Sequence, residues 1–163
     1  MKLFPLRILS VFCVAASLCA VGQARAENSG SDGSTFPGQE RAANDITITD
    51  AWMKLVGPAH NVGAVFFTIS NSAETPHLLS GVTSPSCKST GGYHTDQHLT
   101  EQLKALFTHL ALPATSTLVF PPGGYHLVCV DPDPSLKTGQ MVSFTFHFMG
   151  GTEKTESVQV RKD

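Results

Sequence analysis

The sequence predicts an all-β fold, a β-sandwich or barrel carrying one short helix near residues 96–110. Three observations lead there. "MVSFTFHFM" (Met141 to Met149) alternates strictly: Val142, Phe144, Phe146 and Phe148 fall on one face, and Ser143, Thr145 and His147 on the other. That is the period-two signature of a half-buried strand. Other short apolar runs are punctuated by "SNSAETP", "PPGGY" and "VDPDP", where Gly, Pro, Asn and Asp supply turn geometry. One segment breaks the pattern. In "HTDQHLTEQLKALFTHLALP" (His94 to Pro113), Leu99, Leu103, Leu106 and Leu110 recur at helical spacing.

The elements follow in chain order. Lys2 and Arg7 precede a mostly apolar run, Ile8 to Val21, and Ala24-Arg25-Ala26 follows. Charge, apolar run and small-x-small site together read as a secretory signal peptide over residues 1–26. The apolar run is too short for a membrane-spanning helix. Leu18 is too bulky for the position before a lipidated cysteine, which argues against an anchor on Cys19. Residues 27–45 are rich in Gly, Ser and charge and read as a flexible leader. The folded domain is expected over residues 46–163, and no internal repeat is visible. "ITITDAWMKLV" and "VGAVFFTIS" read as the first strands, "HLLSGVTS" as the next. Thr95 or Asp96 is placed to cap the helix and Pro113 lies past its end; a helix that short persists only by packing on the sheet. "TLVF" is a strand stopped by Pro121 and Pro122, and "ESVQVRK" is a last strand with Val158 and Val160 inward.

The formal net charge is −2, and removal of the signal takes Lys2, Arg7 and Arg25 with it. A mature chain that acidic lacks the basic footprint of a nucleic-acid binder and gives no reason to expect binding to anionic lipid; no membrane insertion is expected after signal cleavage. Cys13 and Cys19 fall in the signal, leaving Cys87 and Cys129. In an oxidising compartment a disulfide is the default for two cysteines; two buried free thiols, or a thiolate metal ligand, are the alternatives. The chain carries 7 histidines, all after the signal.

His126 opens an apolar strand directly after the "PPGG" turn. If Cys129 points inward, so does Leu127, and His126, Val128 and Val130 face outward. A histidine on the rim after a rigid turn is well placed as a ligand; a half-exposed strand histidine is the plainer alternative. His94 and His98 are four residues apart and would share one helix face, where two imidazoles can hold one metal ion. His109 lies on a similar stripe but about 16 Å further along at 1.5 Å per residue, too far to join them unless the helix breaks. His60 and His77 read as solvated, His147 as a surface residue, and Asp131 and Asp133 as turn residues. The chain shows no Gly-x-Ser-x-Gly elbow, P-loop, His-Glu-x-x-His motif or paired catalytic carboxylates, so it does not read as an enzyme.

The order of motifs adds to this. "ITDAWMKLV", "VGAVFFTISNS", "LLSGVTSPSC", "LPATSTLVFPPGGYHLVCV" and "LKTGQMVSFTFHF" together resemble the periplasmic copper chaperones of the PCuAC type, over Ile46 to about Val160. Trp52 after Asp-Ala, Asn71 at the end of the second strand, and the "PGGYH" turn are the most specific pieces. The resemblance implies a cupredoxin-like Greek-key β-sandwich or barrel. It also implies a monomeric, periplasmic or secreted protein that carries copper, Cu(I) or Cu(II), to a partner in assembly of cytochrome oxidase copper centres.

The family's site has two histidines and two methionines, and soft thioethers favour Cu(I). His126 matches the histidine of the His-x-Met pair, but Val128 stands where the methionine belongs. The mid-chain methionine falls near Lys104 to Leu106, which hold no sulfur, and the first histidine falls on Tyr93 or His94. Met53, Met141 and Met149 match no family position; Met53 reads as strand packing or surface. The resemblance therefore implies a degenerate, histidine-based metal site of His94, His126 and His98. Extra histidines, His98 and His109, would suit Cu(II) or Zn(II). The alternative is a scaffold or protein-interaction module that kept the fold without the metal. A Cys87–Cys129 disulfide would then tie the two ligand-bearing segments together, in a structural role.

Overall fold

The computed structural model describes residues 37–162; residues 1–26, which the sequence reads as a signal peptide, and the first part of the expected leader lie outside them. Nine strands form one sheet: β1 (Ile46–Val56), β2 (Val62–Asn71), β3 (His77–Thr83), β4 (Cys87–His94), β5 (Leu110–Leu112), β6 (Ser116–Phe120), β7 (Tyr125–Pro132), β8 (Met141–Phe148) and β9 (Glu153–Arg161). Two short α-helices accompany them, α1 (Ala42–Asp45) and α2 (Glu101–Lys104), with 3-10 turns at Gln39–Arg41 and Leu106–Thr108. The strand order is β4-β7-β2-β1-β9-β8-β3-β5, with β6 also paired to β2. The β1–β9 pair is parallel and the other pairs are antiparallel. The sheet curls: Thr90 on β4, at one edge, donates its hydroxyl proton to the Val82 carbonyl on β3, near the other edge.

Alternation decides which face fills the barrel. Val142, Phe144, Phe146 and Phe148 are all buried, as are Val158 and Val160 on β9, so both strands present the faces their sequences predict. Phe67 sits at the centre of an aromatic cluster, with ring centroids 4.9 Å from Phe120, 5.3 Å from Phe146 and 5.8 Å from Phe107. Each fully buried ring of this kind contributes about 2–3 kcal/mol of apolar burial. Met53 is fully buried, and its terminal methyl occupies the space a Cβ on Gly63 would need. That settles Met53 as packing. Asn71 is also buried. Its amide donates towards the carbonyls of Thr75, Leu112 and Pro113 at 2.9–3.1 Å, and its Oδ1 accepts from Ala73 N–H.

Two expectations change. The leader was expected to stay flexible to residue 45, yet Gln39–Arg41 and Ala42–Asp45 are helical turns with Gln39 and Ala42 buried. Gln39 donates to the Pro76 carbonyl at 2.7 Å, and Lys154 donates to the Ala43 carbonyl at 2.9 Å. The helix is shorter than the leucine spacing suggests. His94 ends β4, His98 lies in a loop, and Leu110 belongs to β5. Thr100 is the cap, accepting from Leu103 N–H at 3.1 Å, in place of Thr95 or Asp96.

The helical segment lies directly on β4, and glycine permits it. A Cβ on Gly92 would collide with the Leu103 carbonyl oxygen and stand 2.7 Å from Leu106 Cβ. Gly92→Ala should therefore push α2 away from β4 and cost about 2 kcal/mol, the usual scale of overpacking against backbone. Urea unfolding of the variant reads this directly; no change in midpoint would show that the helix is not seated on the strand.

Candidate metal centre

The expected ligands lie at the end of the β4–β7 ladder. Tyr93 is paired with His126, and His94 with Tyr125. Cross-strand partners share a face, so His126 stands with Tyr93 on the outer face while His94 stands with Tyr125 on the other. Leu127 and Cys129 are fully buried, which places His126, Val128 and Val130 outward as the alternation predicts. His126 is nonetheless only 6% exposed. Phe66 and Tyr93 cover it, with ring centroids at 5.2 and 5.4 Å, and Trp52 continues the stripe 4.6 Å from Phe66.

The hydrogen bonds fix which nitrogens are available. His126 Nδ1 lies 2.9 Å from the Gly124 carbonyl oxygen. A carbonyl only accepts, so Nδ1 carries the proton and Nε2 keeps a lone pair. Burial, above all, holds the His126 pKa below the ordinary histidine value of 6.5; the Gly124 hydrogen bond opposes this and the charge of His94 adds to it. His126 is thus a neutral imidazole at neutral pH with Nε2 open to a cation. His94 is arranged the other way. Its Nδ1 accepts from Asp96 N–H at 3.2 Å, so the proton of the neutral ring sits on Nε2. Coordination through His94 Nε2 requires the other tautomer and the loss of that bond.

The helix face that His94 and His98 were expected to share does not form, because His94 is in a strand and His98 in an exposed loop. Among the described residues no group of three His, Cys, Asp or Glu side chains is placed to hold a metal ion. The other histidines are dispersed. His60 is exposed in the β1–β2 loop, His109 bonds Thr108, and His147 bridges Thr83 at 2.7 Å and Glu153 at 2.9 Å on the sheet surface. His77 departs from its expected solvated state: it is 2% exposed and paired with Asp45 at 2.9 Å.

Val128 and one residue of the stretch Lys104 to Leu106, the regions set against the family's methionines, meet at one cavity. Val128 and Lys104 both line a space of about 330 Å³, together with Tyr93, Leu99 and Val130. The wall beside His126 is aliphatic where the resemblance would have sulfur. Tyr125 and Gln97 went unnoticed in the sequence; Gln97 donates to the Tyr125 hydroxyl at 3.1 Å and holds the loop after β4 over the ladder. The aromatic residue inside "PGGYH" was the available signal. The cysteines are joined in a Cys87–Cys129 disulfide across the same two strands.

This curled sheet with its β4–β7 corner is the PCuAC fold. The copper-bound PCuAC domain from PmoF2 superposes with a TM-score of 0.60 at 23% identity, covering 73% of this chain and 94% of that domain. The solution structure of CuI-DR1885 from Deinococcus radiodurans gives 0.57 at 23%, covering 77% and 86%. Residues 46–160 match the family described as "Putative lipoprotein LpqE-like", and the chain belongs to that family. A curated relative, "Putative lipoprotein Lxx21020" of Leifsonia xyli subsp. xyli (strain CTCB07), is 27% identical over 126 residues, which is 77% of this chain and 74% of the relative.

Proposed function

We propose that this protein is an exported copper-handling protein. It binds one copper ion weakly through His126 Nε2, on the outer face of the β4–β7 ladder. The observation that carries this reading is His126 itself: buried, held neutral, and anchored at Nδ1 so that Nε2 is the free nitrogen. An imidazole tied at one nitrogen is the usual form of a histidine metal ligand. Nitrogen ligands without thioethers suit Cu(II) better than Cu(I). Few ligands also mean fast release, which serves a carrier that hands its ion to an apoprotein such as a cytochrome oxidase assembly partner. The PmoF2 domain in its copper-bound form and DR1885 in its Cu(I) form share this fold, which supports the same reading. Export is supported by the signal read at residues 1–26 and by the lipoprotein descriptions of the family and the relative.

Cu(II) titration of the folded protein followed by calorimetry tests this. His126→Ala should weaken binding by about tenfold or more, the equivalent of losing one ligand worth at least about 1.4 kcal/mol, whereas His98→Ala should leave it unchanged. Protons compete for Nε2, and His126 takes its proton at a lower pH than an ordinary histidine. Affinity should therefore be flat near pH 7 and fall only once the pH drops below 6.5. Equal binding by wild type and His126→Ala would remove the proposal. The aliphatic wall at Val128, Leu99 and Val130 favours a second reading, an interaction module without metal. It predicts that copper leaves the thermal midpoint unmoved, since a ligand of the native state must raise it.

A further inference from the structure

A cavity of about 500 Å³ lies away from the histidine corner, at the open end of the β1–β9 pair. Lys54, Lys137, Arg161 and Lys162 line it, with His60 and Thr138, and no carboxylate of the described residues does. We infer that this cavity is a binding site for a phosphate-bearing anion.

The distribution of partners points there. Away from the cavity, four described cations meet an acceptor: Arg41 with Asp45 at 3.8 Å, Lys88 with Asp131 at 3.4 Å, Lys104 with Glu101 at 2.7 Å, and Lys154 with the Ala43 carbonyl at 2.9 Å. Lys137, Arg161 and Lys162 form no ion pair among the described residues. Their convergence is also fixed by the fold. Lys54 and Arg161 are ladder partners on neighbouring strands, so the register brings both side chains to the same end of the β1–β9 pair. The Arg161 guanidinium lies 5.8 Å from the centroid of the Trp52 ring, an aromatic contact that orients it while leaving its N–H donors for a forked contact with phosphate oxygens. Lys137 sits in a turn pinned to β9: Gly139 N–H donates to the Val160 carbonyl and Val160 N–H to the Gln140 carbonyl, each at 2.8 Å. Lys137 N–H itself donates to Gln140 Oε1 at 2.6 Å. Asp131 and Asp133 face the neighbouring cleft, where Asp131 is taken by Lys88 and Asp133 accepts from Ser135 N–H.

Trp52 is the only tryptophan in the chain, so its emission reports on Arg161. Inorganic phosphate and pyrophosphate, titrated separately into the folded protein, should each change Trp52 emission saturably, with pyrophosphate the tighter, and shift the backbone amides of residues 137–140. The double variant K137Q/K162Q keeps Arg161 over Trp52 and should weaken binding by about tenfold or more. Co-sedimentation with phosphatidylglycerol vesicles but not phosphatidylcholine vesicles would make a lipid headgroup the source of the phosphate; phosphate binding without sedimentation would make it a free anion. Flat emission and unmoved amides with phosphate and pyrophosphate overturn the site, as does a response undiminished in the double variant.

Discussion

Removing the Cys87–Cys129 disulfide should cost about 4 kcal/mol of stability and lower the thermal midpoint by roughly 15 °C. The bridge joins residues 42 apart, and in the chain-entropy model closing a loop of that length restricts the unfolded chain by about that free energy. The native state loses little directly, because β4 and β7 remain paired from Cys87 opposite Pro132 to His94 opposite Tyr125. The effect should therefore appear mainly as a destabilised fold with unchanged architecture. The double variant C87S/C129S, unfolded in urea beside the oxidised wild type, measures it. Cys129 is fully buried, so its hydroxyl replacement adds a small desolvation cost, and C87A/C129A separates that from the loss of the bridge. A maleimide that labels both cysteines in unfolded, unreduced protein would show that the bridge is absent. A bridge retained while copper is bound and released would show it to be structural, as the sequence reading expects.

The bridge also bears on what could be read from the sequence. The strands of the core were legible because burial imposes a period of two, and β8 and β9 keep it without exception. The helix was legible only in part. Leu99 and Leu110 extend the helical spacing of Leu103 and Leu106, but Leu99 is 52% exposed and Leu110 belongs to a strand. The inward residues of this segment are Leu103 and Phe107, four apart. What limits the helix is β4 beneath it. His94 is held in the ladder by its pairing with Tyr125, and Gly91 and Gly92 admit the close approach of residues 103–106 only. No local pattern encodes that.

The candidate site was less legible for the same reason. His126 could be singled out from its turn and from the resemblance, but the partners that define its chemistry are Phe66, Tyr93 and the Gly124 carbonyl. Phe66 and Tyr93 reach it through strand pairings, and pairing register is a property of the whole sheet. His94 and His98 were grouped on a helical spacing that does not exist. Lys104, in the stretch Lys104 to Leu106 set against the mid-chain methionine, and Val128 are distant in the sequence yet line one cavity.

Asp45→Ala should destabilise the protein by about 3 kcal/mol, a large effect for the last residue of what reads as a leader. The His77 side chain has no solvent exposure, and its Nε2 lies 2.9 Å from Asp45 Oδ2. Its Nδ1 has no hydrogen-bond partner among the described residues, so the Asp45 contact alone offsets the burial of the ring. Without the carboxylate, both nitrogens are buried without an acceptor or donor, and an unsatisfied buried group of this kind costs on the order of 3 kcal/mol. The Asp45 main-chain carbonyl, which accepts from the N–H and hydroxyl of Ser72, is untouched by the change, so the loss belongs to the side chain. A double-mutant cycle with His77→Leu distinguishes pairing from packing. If the pair carries the effect, Asp45→Ala made on top of His77→Leu costs little, because no imidazole is left to orphan. If Asp45→Ala costs the same in both backgrounds, the carboxylate acts elsewhere, with the Arg41 guanidinium 3.8 Å away the first place to look. Either result comes from urea midpoints alone. The expected one would show why a segment with almost nothing apolar to bury is still packed: it supplies the one charge a buried histidine at the start of β3 requires.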